Sequence, residues 1–329
     1  GQRVETFRAV TKGPAGKHIS SIAQDGLDRI WITTIDGGLA MRDPRTGKFS
    51  NYRHDSTDAR SIPTDMLNHV LVWNDTLLFI SSRGGGLIRF NPERGMFRTT
   101  DHRGVVRKST GDTMLYADHG WYHTAVRLND ERLWTAQIMN RHTTIIDSQN
   151  GSVLSRHPVL GADSSQILTN GLVLGNALYA GCWLRGINRI PLSGTGVPTF
   201  LPLTDEVTAI VPWKGNLLAG TKNSGLVLLD TGGHELARYH HHRGDPSSLG
   251  HDNIRSLLVD RNGNLWVGTA RGLSVHAPSV WRMSEMNLFG GDHRQQPDLT
   301  FHALQQDPDG TIRISTSHGF FLVDGDRVR

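Results

Sequence analysis

The chain has 329 residues, 37% hydrophobic and 20% charged, the composition of an ordinary globular protein. Thirty-five basic and 31 acidic residues leave a net charge of +4, spread along the chain with no Lys/Arg block, so no nucleic-acid partner is expected. A single cysteine, Cys182, excludes an internal disulfide, and no apolar run of 18 residues could span a membrane as a helix.

The N-terminal segment 3–10 (RVETFRAV) alternates apolar and polar residues like a strand. The chain opens on Gly1-Gln2, as expected where a leader segment has been trimmed. Residues 19–55 (ISSIAQDGLDRIWITTIDGGLAMRDPRTGKFSNYRHD) then set a pattern. It runs apolar alternation, Asp, a turn, an aromatic in a second apolar segment, a polar loop, and Gly-Leu. Residues 254–276 (IRSLLVDRNGNLWVGTARGLSVH) repeat it.

On this template the aromatic position falls at Trp31, Phe79, Trp134, Tyr179, Leu218, Trp266 and Arg313, with a mean spacing of 47 residues. Seven copies therefore fill the chain. Each copy holds about four short, β-branched segments separated by Gly, Asp and Asn turns, and none shows a sustained helical period. The expectation is an all-β, seven-bladed β-propeller with four-stranded blades. Its blades lie near 19–55, 66–100, 121–158, 166–202, 205–242, 253–288 and 301–329, and segment 3–10 supplies the last blade's missing strand. The third and fourth copies are the weakest, the third carrying an insertion near Asn140. One domain, 1–329, is expected.

The aromatic of each second strand reads as a wedge between blades. Asp25 and Asp260, ending first strands, read as turn caps. Cys182 stands where other copies have Thr34, Thr221 and Thr269, and reads as a small buried core residue.

The repeat residues DRNGNLWVGTARGLS, DGLDRIWITTIDGGLAMRDPRTGKFSNYRHD and YHHHRGDPSSLGHDNIRSLLVD resemble two-component regulator propeller repeats. Copies one, five and six match well. The others depart, with Ser81-Ser82 for Gly-Thr, Ala136-Gln137 in copy three and Arg313 for Trp. The resemblance implies the periplasmic sensor part of a hybrid two-component receptor of the Bacteroidetes type, which detects oligosaccharides from complex glycans and regulates polysaccharide-utilisation genes. A whole receptor would add a second propeller, a β-sandwich, a membrane helix, a histidine kinase and a DNA-binding module, and would act as a homodimer. On this reading the chain is a binding domain, not an enzyme, and needs no cofactor.

Propeller ligands commonly meet the face formed by the second-to-third-strand loops and the blade connections. Those loops are Ile35-Asp36-Gly37, Arg83-Gly84, residues 138–142, residues 183–185, Lys222-Asn223-Ser224, Ala270-Arg271 and Ser317-His318. Six of the seven carry Arg, Lys or His. The candidate binding funnel is therefore Arg83, Arg141, His142, Trp183, Arg185, Lys222, Arg271 and His318, with Trp121, Tyr122 and His123 on the same rim. Convergent cations suit a uronate-containing or sulfated oligosaccharide, and Trp183 could stack on a sugar. The same residues also read as solvated loop cations paired with Asp36 or rim carboxylates, or as a face that docks a partner domain.

Other features are weaker. His240-His241-His242, with His234 and His251, sit on a strand that would point them to opposite faces, so no metal site is expected. Gly84-Gly85-Gly86 precedes no helix and reads as a hairpin turn. Two alternatives stay open. One is a propeller lyase acting on a polysaccharide or cyclic ester, with His142, His318 and Tyr122 as the available acid/base groups. The other is a protein-interaction or dimerisation scaffold.

Overall fold

The computed structural model describes residues 3–7, 13–58, 60–100, 106–108, 121–138, 142–161, 168–183, 185–193, 196–277, 283–286, 301–316 and 319–324. They form seven antiparallel sheets. The innermost strands, in blade order, are Ile19–Gln24, Leu67–Asn74, Trp121–Arg127, Leu168–Leu174, Val207–Trp213, Ile254–Val259 and Phe301–Gln306. Each lies against the innermost strands of both neighbours, and the seventh returns to the first, so the sheets close a ring around a central channel. Among the described residues no helix is long and apolar enough to cross a membrane.

The last sheet runs Arg3–Phe7, Gly319–Asp324, Ile312–Thr316, Phe301–Gln306. Arg3 pairs with Asp324 and Phe7 with Phe320, so the N-terminal strand completes blade VII as the sequence suggests. Blade II departs from four strands. A fifth, Val106–Lys108, pairs outside Met96–Thr100, inside the longest interval of the repeat. Asn140 lies outside the described residues.

Packing between blades follows the repeat. Trp31, Phe79, Trp134, Tyr179 and Leu218 are 2% exposed or less, each buried ring stabilising its seam by roughly 2–3 kcal/mol. The aspartates do more than cap turns. Asp25 accepts the Leu27 and Arg29 backbone N–H groups and, through Oδ2, the Trp31 indole N–H at 2.8 Å. Asp260 treats Asn262, Asn264 and Trp266 the same way. In blade VII, where Arg313 replaces the indole, its guanidinium pairs with the buried Asp307. Cys182 is buried beside Asn188 Nδ2 at 3.0 Å, and burial pushes its thiol up to about 12.

One device recurs in every blade. The innermost-strand residue that pairs near the end of the second strand just before a register slip is apolar or aromatic in each case: Ile19, Leu67, Tyr122, Leu168, Val207, Ile254 and Phe301. The register then slips by one residue, a β-bulge at the same place in all seven blades. The residue after the apolar one is polar every time: Ser20, Asn68, His123, Thr169, Thr208, Arg255 and His302.

Candidate functional site

Each bulge lies opposite the end of its blade's second strand, so the second-to-third loops and the bulged residues share one end of the channel. The loops there are stiffened by the residue that ends the second strand. Thr34, Ser82, Thr221 and Thr269 donate their hydroxyls to the carbonyls of Gly38, Gly86, Gly225 and Gly272, which is what the recurrent Thr of the repeat does. Gly38 and Gly225 hold φ near +77° and +66°, and a Cβ at either would strike the Tyr52 or Tyr239 carbonyl. Gly84-Gly85-Gly86 is the corresponding turn of blade II.

The bulged side chains reach across seams to the next innermost strand. Ser20 Oγ donates to the Leu67 carbonyl at 2.7 Å, Thr169 Oγ1 to Val207 and Thr208 Oγ1 to Ile254, both at 2.9 Å. His123 Nδ1 meets the Thr169 carbonyl at 3.0 Å. A carbonyl only accepts, so Nδ1 carries the proton and Nε2 of the neutral ring is an acceptor.

Around His123 stand the groups best placed to recognise a ligand. Arg83 donates Nε–H to Asn68 Oδ1 at 3.0 Å and lies close enough to His123 to disfavour its protonation. Trp183, 44% exposed, meets His123 edge-on with centroids 6.5 Å apart. His69 lies beside His123, and its Nδ1 has no partner among the described residues. Across the mouth, exposed Arg255 and His18 flank His302, whose Nε2 is likewise unpartnered among them. Burial pushes His69, His123 and His302 down to about 4, so at neutral pH all three are uncharged imidazoles, each a donor and an acceptor.

The loop cations do not form one uniform ring. Arg83 joins the cluster just described. Arg185 and Arg271 are exposed, Arg185 at a φ of +70°. Lys222 is paired with Glu206 at 2.9 Å, and the same loop gives the Asn223 backbone N–H to Asp205, so blade V's contribution is neutralised. Asp36 is engaged by His18 Nδ1 at 2.9 Å. His142 is exposed and opens a third strand, pairing outward with Pro158. Arg141, His318 and the side chains of Trp121 and Tyr122 lie outside the described residues.

Reading loops alone missed Asn68, His69, Arg255 and His302, together with the acids Asp205 and Glu206. For Asn68, Arg255 and His302 the available signal was a polar residue, of no one type, directly behind the apolar residue at the slip.

The clustered histidines 240–242 are structural. His241 Nδ1 meets the Leu249 carbonyl at 2.6 Å and its backbone N–H meets Asp252. His54 does the same with Ile62 and Asp65 in blade I. His234 pairs with Asp230. Among the described residues no three His, Cys, Asp or Glu gather to hold a metal.

Residues 248–271 match the two component regulator propeller family. No curated protein sequence matches the chain. Among solved structures, the chain is similar to the extracellular domain assigned to the hybrid two component system BT3049 of B. thetaiotaomicron, at 18% identity and TM-score 0.75, covering 98% of this chain and 42% of that one. The corresponding BT4673 domain of the same organism gives 17% and 0.72, covering 100% and 40%. Virginiamycin B lyase of Staphylococcus aureus gives 12% and 0.69, covering 98% and 99%. At these identities the likeness is one of fold, and the chain spans about two fifths of the BT3049 and BT4673 domains.

Proposed function

We propose, starting from a seven-bladed propeller that carries a two component regulator repeat, that this chain is an extracytoplasmic, periplasmic sensor domain of a hybrid two-component receptor that binds an acidic glycan fragment. The observation that carries the reading is the cluster of Arg83, His69, His123 and exposed Trp183 at the channel mouth. Uncharged imidazoles exchange hydrogen bonds with sugar hydroxyls without demanding a counter-charge. An exposed indole face covers the apolar face of a pyranose. Arg83, with Arg185 and Arg271 on the rim, supplies forked donors for carboxylate or sulfate. The receptor's second propeller, kinase and DNA-binding parts, its dimerisation and its control of polysaccharide-utilisation genes belong to the same proposal.

The test is calorimetric titration with neutral and uronate-containing or sulfated oligosaccharides at low and physiological salt. An Arg83→Ala/Arg185→Ala/Arg271→Ala variant is titrated in parallel. Salt-sensitive binding of one acidic fragment, lost in the variant, is expected. Silence across the panel, or binding indifferent to the variant, would overturn the funnel.

A lyase is the second reading, favoured by the His123 tautomer, which leaves Nε2 free of a proton as a general base requires. Incubation with the same fragments, followed at the ultraviolet absorbance of a new carbon–carbon double bond, separates the two. A His123-dependent rise would replace the sensor reading.

A further inference from the structure

Blades I/II and blades V/VI meet in corresponding seams, and the strand registers show it. Leu78 pairs with Phe90 and Phe90 with Phe97 in blade II, as Leu265 pairs with His276 and His276 with Met283 in blade VI. The connections entering the two seams also match, through the shared His54 and His241 latches. What fills the seams differs. Between blades I and II, Trp31, Tyr52, Phe90 and Phe97 interlock, with Trp31 edge-on to Phe90 at 5.7 Å and Phe90 stacked on Phe97 at 4.1 Å. The surface depression there is lined by polar connection residues and stops at Tyr52, Ile62 and Phe97.

Between blades V and VI, Leu218 replaces the Trp, His276 replaces the first Phe and Met283 the second. A cavity of about 530 Å³ opens in their place, within the size range of small-molecule sites. Its floor is Leu218, Leu226, Leu228 and Leu265, and Trp213, Tyr239 and His276 form walls. Trp213 meets His276 edge-on at 5.9 Å. His276 Nδ1 is buried and has no partner among the described residues, an unmet polar atom against an apolar hollow. Lys214 lies over the Trp213 ring at 5.5 Å and near enough to His276 to disfavour its protonation. Arg238 is taken up by a two-pronged pair with Glu235 and His240 Nδ1 meets Asp252 at 3.5 Å, while Lys214, His242 and Asp245 complete the polar part of the cavity's lining.

We propose that the blade V/VI seam is a binding slot for a small planar aromatic carboxylate, whose ring takes the place held by Trp31 and Phe90 in the blade I/II seam and whose carboxylate meets Lys214 and His276 Nδ1. The slot is on the flank of the ring, built from different residues than the channel mouth, and stands whether or not the funnel binds glycans. Apolar wall open to water favours an apolar occupant, and a flat ring restores contacts that the three smaller side chains removed. The Lys214 ammonium beside the Trp213 ring favours a carboxylate over a cationic ring of the same shape.

The probes are indole-3-acetate, 3-methylindole and tryptamine, titrated into the whole chain by calorimetry and ligand-observed NMR. Indole-3-acetate is expected to saturate with a dissociation constant below about 1 mM, and tryptamine to bind at least about tenfold more weakly. Leu218→Trp supplies the side chain that blades I, III and VI carry at this position. It is expected to abolish binding while the melting temperature is held or raised. Lys214→Glu, an exposed-turn change, is expected to reverse the order of indole-3-acetate and tryptamine. It decides the matter should Leu218→Trp fail to fold. Absence of saturable indole-3-acetate binding, equal binding in Leu218→Trp, or an unchanged order in Lys214→Glu would each overturn the slot. Self-association that Leu218→Trp abolishes, without probe binding, would overturn it too, assigning the cavity to an aromatic side chain of a second copy.

Discussion

Asp260 and Trp266, six residues apart, are joined by an indole N–H to carboxylate hydrogen bond of 2.8 Å, and the same carboxylate takes two backbone N–H groups of the turn between them. One side chain thus ties the first-to-second-strand turn to the wedge that separates two blades. Asp25 and Trp31 repeat the link. In blade III, Leu128 stands where the Asp would be, and the buried Trp134 indole N–H has no partner among the described residues.

Blade VII carries a charged version of this link, and it is the one to test. Arg313→Trp restores the pairing of blades I and VI and removes a buried guanidinium. Stability is expected to hold or to rise by about 1–3 kcal/mol. Asp307→Ala leaves that guanidinium buried without its carboxylate and is expected to cost about 3–5 kcal/mol. Urea unfolding of the two variants and the parent chain measures both.

Acidification should weaken the fold. His69, His123 and His302 are pushed by burial from 6.5 down to about 4. A group depressed in the folded state contributes its stability fully above its unfolded value and loses it as pH falls from about 6.5 through 4. The loss is at most about 3 kcal/mol for each ring, less wherever channel water reaches it. Asp307 acts oppositely. Burial raises it from 3.8 to about 6, so its contribution is complete below about 4 and disappears as pH rises through 6. Three histidines outweigh one aspartate. Melting temperatures between pH 7.5 and 4.5 should fall steeply, and His123→Gln should flatten the fall.

The seam latches should be individually measurable. Thr208→Val keeps the shape but strips the hydroxyl that reaches the Ile254 and Gly220 carbonyls, at an expected cost of about 1–3 kcal/mol. Valine at exposed Thr57 is the control and should stay within about 0.5 kcal/mol. Guanidinium unfolding distinguishes the two.

Among the funnel cations, Lys222 should be the quiet one. Glu206 already neutralises it at 2.9 Å, so Lys222→Ala should change glycan affinity less than about twofold. Arg83→Ala and Trp183→Ala should each weaken it about tenfold or more. Titration of the three variants with the same fragment gives the ranking.

The blade ring was legible in the sequence because its signals are local and repeated. Trp31 and Trp266 mark second strands, Thr34 and Thr269 end them, and Asp25 and Asp260 turn the chain, all at fixed offsets. Val106–Lys108 was not legible, since an added edge strand has no counterpart in other copies. The mouth was legible only in part. Arg83, Arg185 and Arg271 announce themselves as loop cations. That Lys222 is cancelled depends on Glu206, which lies sixteen residues away in sequence. Arg255 and His302 face the channel through a register slip that is marked only by polarity and by no one residue type, since its seven positions hold Ser, Asn, His, Thr, Thr, Arg and His.

The pairing of Arg3–Phe7 with Gly319–Asp324 also sets a schedule for the chain's birth. The strand that opens the propeller must wait for a partner made more than three hundred residues later, so the ring cannot close until its seventh blade has been made. Until then the growing propeller exposes an open sheet edge at each end of the arc, a template for pairing with another nascent chain. The ring closes on the contact of longest sequence separation, which is the slowest kind to find. A chain whose first strand is delayed or mispaired would retain most of its blades and still lack the clasp that makes them a circle.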